Sequence, residues 1–462
     1  MPAASFFNDM LQALATRGRK FIANWEAPAA TSGSPLELPS LESELEALIS
    51  SRGEASGTAL AQSILSRWQG LNAEGQRDFL ILLNRDFGPD PTRLDAAIEQ
   101  YRLERSPAAL MALNVASEPR RQEVLRRLNL ASGGTATLVK MREVLLRAMA
   151  DDPDLKAVDA DFLHLFTSWF NRGFLILKPV DWTTPANILE KIIQYEAVHD
   201  IGGWDELRRR LQPPDRRCFA FFHPQLNDEP LIFVEVALTK GIPERIGDVL
   251  TDNRPKLRPE EATSAVFYSI SNCQTGLRGV SFGNFLIKQV VDDLRRELPG
   301  LETFVTLSPV PGFARWLKAE RTAPTVLDDA VLRQLEGLEI ANWQNDPVES
   351  VALTPALRAA TAAYFLRARS NGRLPDPVGR FHLGNGARLE RINDLADLSP
   401  RGLREAHGMM VNYLYKLDEI DTNHEAFASQ DRIVAAEAVQ RLLPATRQTQ
   451  DQQQEIQMRA SA

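Results

Sequence analysis

Cysteine is nearly absent: the 462 residues hold two, Cys218 and Cys273. Two thiols in so long a chain exclude a disulfide framework and a cysteine-based zinc pattern, and suit a reducing compartment. A basic excess is missing too. The formal net charge is −8, so nucleic acid is not expected as the main partner, because phosphates need neutralising charge. A small anionic ligand would require a locally positive site. No apolar run approaches the ~18 residues of a membrane span, so no membrane partner is expected.

Targeting signals are equally scarce. The opening "MPAASFFNDMLQALATRGRKF" lacks an apolar signal-peptide core. Its basic amphipathic pattern reads as a surface helix in preference to an import peptide. The ending Ala460, Ser461, Ala462 is not of the Ser-Lys-Leu type that addresses peroxisomes. A cytoplasmic protein is the expectation.

What is present is ordinary soluble-protein composition, 44% hydrophobic and 25% charged. The length exceeds one compact core, so two domains are expected. From Ser40 to Ala150 the apolar residues recur three and four apart. The segments "LESELEALISSR", "GTALAQSILSRWQGL", "RLDAAIEQYRLE" and "RQEVLRRLNLA" therefore predict helices. "FGPDP", "SPAAL" and "SGGT" break them apart as in a bundle. The stretch "APAATSGSPLELPS" (27–40) reads as a loop joining a first helix to that bundle. Arginines are dense here, but interleaved acids make them solvated helix faces.

The pattern changes near Gly173. "GFLILKPV", "CFAFFHP", "PLIFVEVALT", "AVFYSIS" and "ETFVTLS" are short apolar or alternating runs bounded by turn residues, and predict strands. Helical stretches such as "NFLIKQVVDDLRREL" lie among them. The expected organisation is multidomain, α followed by α/β: a helical domain over 1–170, a mixed α/β domain over 171–445, and a polar, Gln-rich, disordered tail over 446–462.

The richest stretch is "AVFYSISNCQTGLRGVSFGNFLIKQVVDDLRRELPGLETFVTLSPVPGF". A strand (265–271) leads through a loop holding Gly276, Gly279 and Gly283 into a helix from about Asn284. A second strand then runs from about Glu302 to Ser308. This length predicts a parallel pair with a crossover helix. Ligands bind beyond the carboxyl ends of such strands, where both the loop and Ser308 emerge. The loop also ends at a helix N-terminus that favours phosphate, with Arg278 beside it. "GLRGVSFG" does not follow the dinucleotide fingerprint. "RGVSFG" fits better the Gln/Arg-x-x-Gly-x-Gly/Ala loop of GNAT-type acyl-CoA transferases, with Ser281 in place of the first glycine.

Ser308 is followed by "PVPG", which holds it extended and stiffens the exit. By itself it reads as a strand end opening a turn. A chemical role needs a base, and six histidines are available: His164, His199, His223, His382, His407 and His424. Spacing does not choose among them. His382, in "FHLGNGARLERIN", reads as standing opposite an apolar face on a short extended run, and on these grounds alone as an ordinary structural histidine.

Together, "RRCFAFFHP", "AVFYSISNCQTGLRGVSFGNFLIK", "TLSPVPGF" and "FHLGNGARLERIN", in this order along the chain, resemble the malonyl-CoA decarboxylase family over nearly the whole chain except the termini. The resemblance implies a GNAT-like catalytic domain after a helical one, no metal or organic cofactor, and a Ser–His pair at Ser308 and His382. It implies malonyl-CoA binding by Arg278, Gly279, Val280, Ser281, Phe282, Gly283 and Asn284, and a supporting role for Lys191 ahead of "YEAVHD". Animal members carry an acidic residue where this chain has Ser281, so no carboxylate role carries over there. The family also implies malonyl-CoA and acetyl-CoA as ligands and a homo-oligomer, dimer or tetramer.

In the implied reaction, Ser308 hydrogen-bonds the malonyl carboxylate and His382 protonates the enolate left by CO2. Which of the two gives the final proton stays open in the sequence. Two rivals stand beside this reading: an acyltransferase of the same fold, and a non-catalytic acyl-CoA-binding regulator.

Overall fold

The computed structural model describes residues 40–50, 53–252, 254–280 and 285–444. The first-helix, joining-loop and tail readings fall outside the described residues, as do Ser281, Phe282, Gly283 and Asn284. The chain divides into two compact units. The first comprises residues 1–176, 222–230 and 274–282, and the second comprises 177–221, 231–273 and 283–462.

The first unit is helical, as the spacing predicts. Its helices are α1 (Leu41–Ser50), α2 (Glu54–Gly70), α3 (Ala73–Asp86), α4 (Pro91–Leu103), α5 (Pro107–Ser117), α6 (Arg120–Asn129), α7 (Gly134–Ala148) and α8 (Lys156–Trp169). The breaks seen in the sequence are helix starts. Asp90 and Ser106 each accept a bond from a backbone amide two residues into the helix, and a proline follows each of them at the first helical position. Gly133 takes φ +70° before α7, a conformation that suits glycine. On α6, Val124, Leu125 and Leu128 are fully buried, one face of a 3.6-residue period. Each such side chain contributes about 1.5–3 kcal/mol of burial.

The second unit is built on strands β1 (Ile176–Pro179), β2 (Arg216–Phe222), β3 (Pro230–Thr239), β4 (Ser264–Asn272), β5 (Thr303–Thr306), β6 (Ser308–Pro309), β7 (Arg388–Asn393) and β8 (Met410–Leu414). They form one sheet in the order β1-β2-β3-β4-β5-β8-β6, with β7 also on β8. Its helices are α9 (Ala186–Tyr195), α10 (Trp204–Leu211), α11 (Ile246–Leu250), α12 (Phe285–Glu297), α13 (Phe313–Thr322), α14 (Asp329–Gln334), α15 (Pro347–Leu366), α16 (Pro377–Gly384), α17 (Pro400–Ala406), α18 (Ile420–Gln430) and α19 (Glu437–Gln440). The pair β4/β5 is parallel, as a strand–helix–strand of this length requires. Among the described residues no helix is long and apolar enough to cross a membrane.

Two local features differ from the sequence reading. The strand expected to run unbroken to Ser308 is interrupted at Leu307. Val305 pairs with Leu414 of β8, whereas Ser308 pairs with Val411. Pro309 lacks the amide that would prolong a ladder, so the pairing ends there. His382, read as extended, lies on α16. The reason is the unread start signal in "DPVG": the Asp376 carboxylate accepts the Gly379 amide at 2.7 Å, and Pro377 takes the first helical position.

Candidate active site

The site is assembled in the second unit from β4, β6, α16 and the segment after β8. The β3/β4 ladder steps from Glu235↔Ser269 to Val236↔Phe267, so Tyr268 faces no partner residue. This bulge interrupts the ladder where β4 lines a cavity of about 240 Å3. Val198, Phe267, Ile270 and Phe381 give it apolar walls, while Ser308, His382 and Asn272 supply polar atoms. That volume is below the roughly 300–1,000 Å3 that encloses a drug-sized ligand, and suits an acyl group.

Ser308 Oγ stands 3.3 Å from His382 Nε2. Residues 74 apart meet because β6 ends beside α16. Ser308 is 5% exposed and His382 3%. On its other side the Ser308 hydroxyl is 2.8 Å from Thr306 Oγ1, which also accepts the Tyr413 amide at 3.1 Å. His382 Nδ1 lies 2.8 Å from the Tyr415 hydroxyl, and its ring stacks on Tyr413 with centroids 4.6 Å apart.

These contacts order the protons. Burial pushes the Tyr415 phenol well above its usual range, so it keeps its proton. Its hydrogen-bond partner among the described residues is Nδ1. If Tyr415 donates to Nδ1, the neutral imidazole carries its hydrogen on Nε2, aimed at Ser308, and the serine hydroxyl donates to Thr306. Burial also holds the His382 imidazole down to about 3, so it is neutral near pH 7.

A single carboxylate ties the serine loop to the histidine helix. Asp376, fully buried, accepts amides of Val378 and Gly379 at the start of α16 and that of Gly312 after "SPVP". Burial raises its carboxyl to about 6 against these three donors. Gly312 has no room for a side chain, since a Cβ would lie 2.4 Å from the Tyr364 hydroxyl.

The remaining sequence-predicted residues divide between the units. Arg278, Gly279 and Val280 belong to the first unit. There the carbonyls of Gly276 and Arg278 accept bonds from Arg142 of α7 at 2.9 and 2.7 Å, and Gly279 takes φ +84°. The Arg278 side chain is exposed. Lys191 is half-buried on α9 and does not line the acyl cavity. The "YEAVHD" block that follows it holds Glu196. The Glu196 carboxylate accepts the amides of Val198 and His199 and the Ser269 hydroxyl, fastening the cavity wall at Val198 to β4. Sequence reading missed Thr306, Tyr413, Tyr415 and Asp376. Only Asp376 had a signal, the Asp-Pro helix start.

The family model of the malonyl-CoA decarboxylase C-terminal domain matches residues 173–453, and that of the N-terminal domain matches 87–170. A goose (Anser anser anser) protein named mitochondrial malonyl-CoA decarboxylase is 36% identical over 408 residues, 80% of this chain and 81% of its own length. The crystal structure of malonyl-CoA decarboxylase from Rhodopseudomonas palustris shares 57% identity at a TM-score of 0.84, covering 87% of this chain and 98% of that one. The one from Cupriavidus metallidurans shares 35% identity at a TM-score of 0.70, covering 87% and 98%. With both of its units matched along most of their length, the chain belongs to the malonyl-CoA decarboxylase family.

Proposed function

We propose that this chain converts malonyl-CoA to acetyl-CoA and CO2, with Ser308 and His382 as its catalytic residues. The observation that carries the assignment is the buried 3.3 Å approach of Ser308 Oγ to His382 Nε2 in a small apolar cavity. The bond from the malonyl methylene to its carboxylate breaks, and its electron pair passes to the thioester as an enolate. An apolar wall strips water from the departing carboxylate and so favours its loss. The enolate carbon takes the Ser308 proton, and the serine alkoxide takes its replacement from water that enters the cavity once CO2 has left, the resulting hydroxide being neutralised by bulk solvent. Nε2 of the neutral His382, whose Nδ1 is held by Tyr415, hydrogen-bonds the serine oxygen and stabilises it as its proton leaves. Thr306 keeps the serine oxygen in line.

Arg278, Gly279 and Val280, with Ser281, Phe282, Gly283 and Asn284, form the proposed loop for the coenzyme A pyrophosphate. Backbone amides and a guanidinium supply donors there, which offsets the chain's net charge locally. Lys191 is proposed as a supporting residue only. The helical unit, residues 1–170 in this reading, is proposed to carry self-association into dimers or tetramers. Light scattering of the full chain measures that directly. A cytoplasmic location is supported by two buried cysteines that form no disulfide. The goose relative's name says mitochondrial, and cell fractionation decides between the two.

The test is to incubate pure protein with malonyl-CoA and no acceptor, and to follow acetyl-CoA and CO2. Ser308→Ala and His382→Ala are each expected to lower kcat by about a hundredfold or more. Binding without product formation overturns the decarboxylase assignment. Near-normal turnover in either variant removes that residue from the mechanism.

A further inference from the structure

A second cavity, of about 700 Å3, lies on the other side of α16 from the acyl cavity. Val378, Phe381 and His382 of that helix face the acyl cavity, whereas Arg380 and the preceding Pro375 line the second one. Four arginines line it, Arg315, Arg369, Arg373 and Arg380, and no carboxylate does. Arg369 is held by Asp431 at 2.5 Å. Among the described residues, Arg315, Arg373 and Arg380 have no carboxylate within ion-pair distance. All four are exposed, so water screens their mutual repulsion, and together they make a locally positive surface in a chain of net charge −8.

Two of these arginines sit on defined local structure. Arg380 donates to the carbonyls of Leu374 and Pro375 at 2.7 and 2.9 Å. Arg373 closes a tight turn in which Ser370 and Arg373 exchange backbone bonds of 2.8 and 3.1 Å. Its two central residues, Asn371 and Gly372, take φ +50° and +73°, the Asn-Gly pattern of a rigid two-residue hairpin. The charges of Arg315 and Arg380 both reach the Tyr364 hydroxyl. The half-buried ring of Trp316 also lines the cavity, backed at 5.0 Å between centroids by the fully buried ring of Tyr364. Guanidinium forks match phosphate oxygens, and aromatic rings give a flat base a stacking surface. The volume falls within the range of small-molecule sites.

We infer that this cavity binds the phosphate of a nucleotide, with the base against Trp316. The nucleotide has two possible sources, the phosphoadenosine end of a bound acyl-CoA or a free nucleotide. Equilibrium binding of ADP to the full chain tests the site without relying on decarboxylation. ADP should bind wild type and bind Arg315→Ala/Arg373→Ala about tenfold or more weakly, the scale of lost charged hydrogen bonds. Binding should also weaken with added salt. Pyrophosphate should bind more weakly than ADP, because it lacks the base. If coenzyme A displaces ADP, and the double variant has a raised KM for malonyl-CoA at unchanged kcat, the source is the acyl-CoA. Simultaneous binding of coenzyme A and ADP identifies a free nucleotide. Equal ADP binding by wild type and variant, or none by wild type, overturns the proposal. Should the double variant be unstable, Arg373→Glu in its exposed turn gives the same comparison.

Discussion

His382 Nδ1 lies 2.8 Å from the Tyr415 hydroxyl, on the side of the ring away from Ser308. Donation by Tyr415 across that bond puts the hydrogen of the neutral, buried imidazole on Nε2. Tyr415→Phe removes the donor while keeping the ring, and leaves Nδ1 buried without a partner. Turnover should fall by about ten- to a hundredfold with KM little changed, corresponding to the roughly 1–3 kcal/mol of an unsatisfied buried group. Steady-state kinetics read this directly. Unaltered kcat would show that the tautomer is set by another contact.

Thr306 makes a prediction about shape-preserving change. Its hydroxyl, fully buried, receives Ser308 Oγ at 2.8 Å and the Tyr413 amide at 3.1 Å. Thr306→Val keeps the volume and deletes both bonds, and should lower kcat about tenfold and stability by about 1–3 kcal/mol. Thr306→Ser keeps the acceptor and should restore kcat even where packing is lost. Rescue by serine separates positioning of Ser308 from simple core stability.

Gly312→Ala should destabilise the second unit by about 1–3 kcal/mol, the usual cost of overpacking. Its Cβ would meet the Tyr364 hydroxyl at 2.4 Å. That ring is fully buried against Phe313, Trp316 and Phe365 and cannot yield. In Gly312→Ala/Tyr364→Phe the clashing oxygen is gone, so the double variant should lose less than the sum of the two single losses. Urea denaturation of the four proteins closes the cycle. Additive losses would mean that the strain lies elsewhere.

Acid should act through His382. Its folded value, about 3, lies below the ordinary 6.5, so between these values the unfolded chain binds a proton that the folded chain does not. The contribution is therefore present above pH 6.5 and lost as pH falls toward 3, on the order of a few kcal/mol. Asp376 has the opposite sign. Raised from 3.8 to about 6, it stabilises the fold below pH 3.8, and this is lost as pH rises through 6. Denaturation midpoints for wild type and His382→Phe between pH 7 and 4 isolate the histidine part. The variant should lose stability less steeply on acidification; parallel curves would exclude His382 from that loss.

Periodicity determined the two architectures. Spacings of three and four over 40–150 could bury one face only as helices, and the short alternating runs after Gly173 only as strands. The parallel pairing of β4 and β5 followed from the length of the segment between them. Family resemblance singled out Ser308 and His382, which residue chemistry alone left among six histidines. The tertiary structure alone decided what surrounds them. A hydroxyl such as that of Thr306 or Tyr415 has no sequence signature, because its value lies in a distance across strands far apart in the chain. Likewise, the change of pairing at Leu307 and the helix under His382 depend on which neighbour satisfies each backbone amide. A sequence records those amides, whereas only the packed fold assigns their partners.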